Sequence, residues 1–356
     1  MLPYFCFLTV VLLLAYLTFK GKKPNPIRLV FLYAIMTLFA AGRSMLVGTD
    51  SAGYARSFQN SVGESLQFEI KFDALTSEPA FAYLEKILGN VSSEYFILFL
   101  GIAMIFTFFV LLSISRNSVA PIFSLFIFIT LGYYTFVFNA ARQALAMAIY
   151  MTSIPYLIQK RFWKYVAIVL VAALFHKTIV IAIPLYFIFT MRYSFRSIAI
   201  VILGSLIVSY YLPSFLSSAA TLEDRYILYA EGSASGGYFL ALFYVILSIF
   251  FIIQRSHIKK EVLNRYDVFL LMLICGSAIY VVVSLTNSYV ELTRFAAYFQ
   301  ISSIFLWAML AKDRQTPLSK EVYILAIIGH LSYFAIYLSR MANLVPYTLN
   351  PNIFNI

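Results

Sequence analysis

Apolar runs of helix length recur along the chain, separated mostly by short polar breaks. They fall at about 3–19, 28–47, 94–114, 119–138, 140–159, 165–190, 197–213, 237–254, 268–286, 294–311 and 322–340. Most approach the roughly 20 residues that a helix needs to cross a bilayer. Hydrocarbon offers backbone N–H and C=O groups no partner, so segments of this kind must be helical. The pattern predicts an all-α, polytopic transmembrane helical bundle of about 10–12 membrane segments, forming one integral membrane domain over residues 1–356. The first run is too long and too aromatic for a secretory signal. It also lacks a basic leader and a small-residue cleavage site, so it reads as a retained anchor.

Two polar interruptions are longer, at about 48–93 and 214–236. The first shows helical periodicity twice, from Thr49 to Phe58 and from Glu78 to Leu88. In the second of these pieces Phe81, Leu84, Ile87 and Leu88 form an apolar face suited to lying on the membrane surface. The other interruption runs through Leu222-Glu223-Asp224-Arg225-Tyr226 and ends in a Gly- and Ser-rich stretch.

Charge orients the segments. Basic breaks alternate: Lys20, Lys22, Lys23 and Arg28; Arg116; Lys160, Arg161 and Lys164; Arg192 and Arg196; Arg255, Lys259, Lys260 and Arg265; Lys312, Arg314 and Lys320. Placing these in the cytoplasm satisfies the positive-inside rule for most of the 26 Lys and Arg. Most of the 15 acids then fall on the other side. Both termini and both long loops are therefore expected to be external. Residues 165–190 break the alternation, because basic loops flank both ends. Two short helices that dip in and return, turning near His176-Lys177, satisfy length and charge together. A broken or re-entrant pair is expected there.

Composition agrees, with 62% hydrophobic and only 12% charged residues. The formal net charge of +11 is accounted for by cytoplasmic loops, so no nucleic-acid partner is implied. Cys6 and Cys275 lie in separate spans and form neither a disulfide framework nor a metal motif. With no HExxH, nucleophile elbow, P-loop or Cys/His cluster, metal-independent chemistry and no cofactor are expected.

The cations left outside the cytoplasmic set are Arg43, Arg56, Lys71, Lys86, Arg142, Lys177, Arg225, Arg294 and Arg340. Positive-inside selection works against them, and Arg offers a planar fork that binds phosphate oxygens bidentately. Snorkelling, or pairing with a nearby acid such as Asp224 for Arg225, is the plainer reading, and for Arg43 it is preferred. Arg142 and Arg294 each begin an apolar helix among polar neighbours, Asn139 and Gln143 in one case and Thr293 in the other, which favours a role. Asp50 and Glu78 are candidate bases or, equally, helix N-caps. His176, beside Lys177 at the expected break, could accept a proton from an attacking hydroxyl or bind phosphate. His330, mid-span, reads as structural, and His257 as a loop residue.

In order, these residues resemble the EpsG-type, Wzy-like polysaccharide polymerases of bacterial inner membranes. Gly48-Thr49-Asp50-Ser51-Ala52-Gly53-Tyr54 is similar to a Gly-x-Asp-x-x-x-Tyr motif, and Glu78-Pro79-Ala80-Phe81 to Glu-Pro-Gly-aromatic. Arg142-Gln143-x-x-Ala146 opens a helix, and Phe175-His176-Lys177-Thr178 is similar to Phe-His-x-Ser. Asp224-Arg225-Tyr226, Arg294-Phe295 and Val345-Pro346-Tyr347 follow the same pattern. Ala80 and Thr178 depart from the usual Gly and Ser without removing a charge.

The resemblance implies a GT-C-like membrane glycosyltransferase acting on undecaprenyl-pyrophosphate-linked oligosaccharide at the periplasmic side. It implies His176, Asp50 and Glu78 as candidate catalytic groups. Arg142, Arg294, Arg56, Arg225, Lys177, Gln143 and Tyr54 would contact substrate. Membrane lipid and a chain-length regulator are the implied partners. A flippase would instead show internal symmetry and cations toward both leaflets, and no half-repeat is evident. A glycan ligase shares the chemistry and stays open.

Overall fold

In the computed structural model, residues 1–21, 23–61, 78–220, 238–285, 290–312 and 320–353 are described. Their elements are helical, apart from one isolated bridge between Arg43 and Leu349. The helices are α1 (Leu2–Phe19), α2 (Pro26–Ala41), α3 (Ser51–Ser61), α4 (Pro79–Gly89), α5 (Tyr95–Asn117), α6 (Pro121–Thr130), α7 (Ala141–Met151) and α8 (Ile154–Ile158). They continue as α9 (Phe162–Ala173), α10 (Ala182–Phe189), α11 (Phe195–Ala220), α12 (Tyr238–Gln254), α13 (Lys260–Leu285), α14 (Val290–Gln300), α15 (Ser303–Lys312) and α16 (Lys320–Arg340). Among the described residues, seven segments are long and apolar enough to cross a membrane, and shorter apolar helices accompany them. The protein is an all-α polytopic membrane protein.

The chain divides into two compact units. One comprises Met1–Ser153, Ala167–Lys177 and Leu318–Ile356, the other Ile154–Val166 and Thr178–Pro317. In the first unit α1 buries Tyr4, Phe7, Leu8, Val11, Ala15 and Thr18, spaced three and four apart. Its other faces, such as Leu13 and Tyr16, are exposed although just as apolar, as suits a helix facing lipid. Asn25 caps α2 by accepting from the Arg28 N–H at 3.1 Å, and Pro26 occupies the first turn, where its missing N–H costs nothing. Every residue of α7 is buried except Arg142.

Arg43 departs from expectation. It is buried, and among the described residues it pairs with no acid. Its guanidinium lies between Phe99 and Phe138, 4.0 and 4.2 Å from the ring centroids, and donates to Ser51 Oγ and the Ala40 carbonyl. The C-terminal segment closes over it: Ser44 N–H donates to Thr348 O at 2.8 Å, and Asn350 N–H to Gly42 O at 2.9 Å.

The 165–190 stretch is broken where charge predicted. α9 stops at Ala173, a 3₁₀ turn spans Lys177–Ile181, and α10 follows. In the second unit Phe162 packs on Tyr186 and Phe187, with centroids 5.0 and 5.3 Å apart, and Tyr165 donates to Ala182 O at 2.9 Å. The start of α9 thus lies against α10, so the chain doubles back around the break. At about 1.5 Å per residue neither arm reaches across a bilayer of roughly 30 Å. α11 continues to Ala220, so the beginning of the expected 214–236 loop is helical.

Candidate functional site

Gly48 opens the region. Its φ is +100°, and a Cβ there would stand 2.6 Å from Phe138 O, so only glycine lets the chain pass this close. Thr49 donates through its N–H (2.7 Å) and hydroxyl (3.1 Å) to Asn139 Oδ1. Ser51 donates to Phe138 O at 3.0 Å. These bonds fasten the start of α3 to the turn that precedes α7. Asp50, half-buried, stands just before α3, and its carbonyl accepts from the Tyr54 N–H. Burial raises the Tyr54 phenol above its ordinary pKa while the Arg142 charge opposes the rise. The Tyr54 ring lies 5.8 Å from Phe81. Arg56 is exposed.

Glu78 occupies the N-cap position of α4, yet its side chain makes no capping bond. It turns instead toward two other segments. Oε1 lies 2.5 Å from His176 Nδ1, and Oε2 accepts from Arg142 Nη1 at 3.1 Å. The backbone enforces this meeting, because Ala80 N–H donates to Leu174 O, tying the first turn of α4 to the frayed end of α9. The Glu78 side chain is 6% exposed, whereas those of Arg142 and His176 are 25% and 24% exposed. Burial alone would raise the Glu78 pKa, but the hydrogen bond and charge of His176, with Arg142, outweigh it and hold the group at about 2. The Arg142 guanidinium also lies 4.7 Å from the Phe81 ring centroid.

The first unit thus brings Glu78, His176 and Arg142 together. Tyr54 and Asp50 stand close enough to interact electrostatically, since both Asp50 and Glu78 raise the Tyr54 phenol. Gln143, buried, and half-buried Lys177 adjoin site residues in the chain. Arg294, half-buried in α14, belongs to the second unit. Arg225 lies outside the described residues. Among the described residues there is no group of three or more His, Cys, Asp or Glu arranged to hold a metal ion.

Two neighbours were not singled out as site residues in the sequence. Phe81 counted as part of an apolar face and as the aromatic of the Glu78-Pro79-Ala80-Phe81 motif, and Glu85 not at all. Their spacing from Glu78, three and seven residues, places all three on one side of α4. Burial raises the Glu85 carboxyl above its usual range, against the pull of Arg142.

No curated relative and no solved structure matches this chain. A family model does, over residues 27–349. The chain belongs to the EpsG family, whose members are Wzy-like polysaccharide polymerases.

Proposed function

We propose that this chain is a glycosyltransferase that joins undecaprenyl-pyrophosphate-linked oligosaccharide repeats at the external face of the bacterial inner membrane, where its termini and long loops also lie. One observation carries the chemistry: a single carboxylate, Glu78, is shared by His176 and Arg142. By accepting from Nδ1–H, Glu78 fixes the neutral imidazole in the tautomer whose Nε2 can take a proton. Glu78 therefore orients the ring through Nδ1, and His176 Nε2 is the atom that accepts.

The acceptor hydroxyl of one lipid-linked repeat attacks the anomeric carbon of the donor glycan. The bond from that carbon to the pyrophosphate oxygen breaks, and the hydroxyl proton passes to His176 Nε2. With neutral imidazole, the Glu78–His176–Arg142 trio carries no net charge. After the proton arrives it carries +1, just as the departing pyrophosphate gains negative charge. Fixed positive charge aimed at a developing anion lowers the barrier. Arg142 supplies the permanent cation, with Arg56 and Lys177 as further phosphate contacts. Asp50, Tyr54 and Gln143 complete the sugar side.

Two facts support this reading. The family is one of polysaccharide polymerases, and the trio combines a proton acceptor, an orienting acid and a phosphate-binding fork. Reconstituted protein given a lipid-linked repeat as its sole substrate should build a ladder of longer chains. No elongation, or product only after a second kind of acceptor is added, would overturn the proposal in favour of a flippase or a ligase.

A further inference from the structure

We propose that the second unit binds the headgroup of an anionic phospholipid where Lys160, Arg161, Lys164, Arg192 and Arg196 gather. This inference does not depend on the reaction proposed above.

Two segments of the unit meet there. One runs through the Lys160 turn into α9, and the other leaves α10 and enters α11. Phe162 joins them, its ring centroid 5.0 Å from that of Tyr186 and 5.3 Å from that of Phe187. A third segment adjoins, because the Arg255 guanidinium, just after α12, lies 4.2 Å from the Tyr193 ring centroid. All five cations are exposed, so a ligand reaches them without any opening of the fold.

Their charge is left unopposed. Asp267 is taken by Arg255, from which it accepts at 2.6 and 2.9 Å. Glu261, in the first turn of α13, is the other acid on these three segments. Among the described residues none of the five cations is ion-paired. Helix starts favour acids, because the first-turn N–H groups make that end positive. α9 and α11 have no acid in their first turns. Two serines cap α11 instead: the Ser194 and Ser197 N–H groups each donate to the other's hydroxyl, at 2.9 and 3.2 Å. A glutamate at the Ser197 position is the common form of this box, and it would set a carboxylate among the cations.

Lys160 adds a cost of its own. It takes the left-handed position after α8, with φ of 56°, and the Arg161 N–H bonds back to Tyr156 O at 2.8 Å. Glycine is the usual occupant, since a Cβ is strained there. A bias of cytoplasmic breaks toward Lys and Arg explains why basic residues occur here. It explains neither a lysine at a glycine position nor the missing counter-acids.

The aromatic neighbours select the partner. Trp163 is 79% exposed and Phe195 86% exposed, and each directly precedes a cation, Lys164 and Arg196. Rings this bare on a membrane protein suit the boundary between acyl chains and headgroups. The cations beside them then stand at the depth of lipid phosphates. A soluble anion would use the charges but not the rings. A phospholipid uses both, its phosphate against the cations and its acyl chains against the rings.

The test uses full-length chain in neutral detergent micelles, titrated with phosphatidylglycerol or phosphatidylcholine and read by native mass spectrometry. Phosphatidylglycerol should bind at least about tenfold more tightly. The double variant Arg161→Gln/Arg196→Gln should weaken it about twentyfold, at about fivefold for each cation lost. Arg161→Lys/Arg196→Lys, which keeps both charges, should stay within about threefold. Equal affinity for the two lipids, or full affinity in the glutamine variant, would overturn the proposal. So would displacement of the lipid by millimolar inorganic phosphate, which would make the patch a site for soluble anions. Should the glutamine variant fail to insert, fluorescence of the wild-type chain decides. Brominated phosphatidylglycerol should quench Trp163, read as the difference from Trp163→Phe, at lower concentration than brominated phosphatidylcholine; equal quenching would overturn the assignment.

Discussion

Arg43 follows α2 by two residues, and Arg142 is the second residue of α7; each is a single cation beside an end of an apolar helix. Arg43 is 2% exposed. Among the described residues its partners are a serine, a backbone carbonyl and two aromatic faces, none of them an acid. Arg142 is a quarter exposed and rests one arm on a carboxylate shared with an imidazole, and among the described residues its buried Nε meets no acceptor. The contrast separates two uses of an expensive charge. A guanidinium whose donors are consumed inside the protein holds the fold. One that shares an acid and keeps a donor free retains the capacity to bind something else.

The strongest way to break this comparison is to remove what surrounds Arg142. His176→Ala should slow polymer formation by about a thousandfold, the scale of lost general-base catalysis, at unchanged membrane abundance on immunoblots. Arg142→Ala should abolish long-chain polymer on gels of cell-surface glycan; normal chain length would end the phosphate role. Arg43→Ala should do the opposite. Loss of the two ring contacts and the Ser51 bonds should lower stability by about 2–4 kcal/mol, read as a lower melting temperature in detergent. The activity of each surviving molecule should change only a few-fold. A full-strength melt with no activity would reverse the roles assigned to the two arginines.

A smaller effect is pH-dependent. Because the folded state holds the Glu78 carboxyl at about 2 instead of 4.5, its stabilising contribution is present above pH 4.5. It is lost as pH falls toward 2. Melting temperatures across that window should fall more steeply for wild type than for Glu78→Gln. Parallel curves would deny that the carboxylate is ion-paired. Smallest of all, Asn139→Ala removes the acceptor for Thr49 and should cost about 1 kcal/mol, with a modest loss of rate as the Asp50 loop loosens.

Much of the fold was legible because lipid forces apolar runs into helices, and loop charge located the break near His176. Glu78, His176 and Arg142 were each visible as polar residues in costly places. Their meeting was not, since 64 and 98 residues separate Glu78 from its two partners. Faces toward lipid and faces toward protein are equally apolar here, so periodicity does not say which helices touch. The same ambiguity hid the burial of Arg43 and the docked side of α4. Glu85 could have been found from its spacing to Glu78, but a lone acid on an amphipathic helix ordinarily reads as part of a solvated face. The cap reading of Glu78 was reasonable from Pro79 and failed only because two better partners stood within reach.

The central claim is that His176 and Glu78 act as one unit in proton transfer. Single-turnover rates of His176→Ala, Glu78→Gln and the double variant, in proteoliposomes with lipid-linked repeats, test it most directly. Groups that work as a unit are non-additive. The double variant should therefore be no slower than His176→Ala alone, within about threefold. A double-variant loss equal to the product of the two single losses would contradict the account.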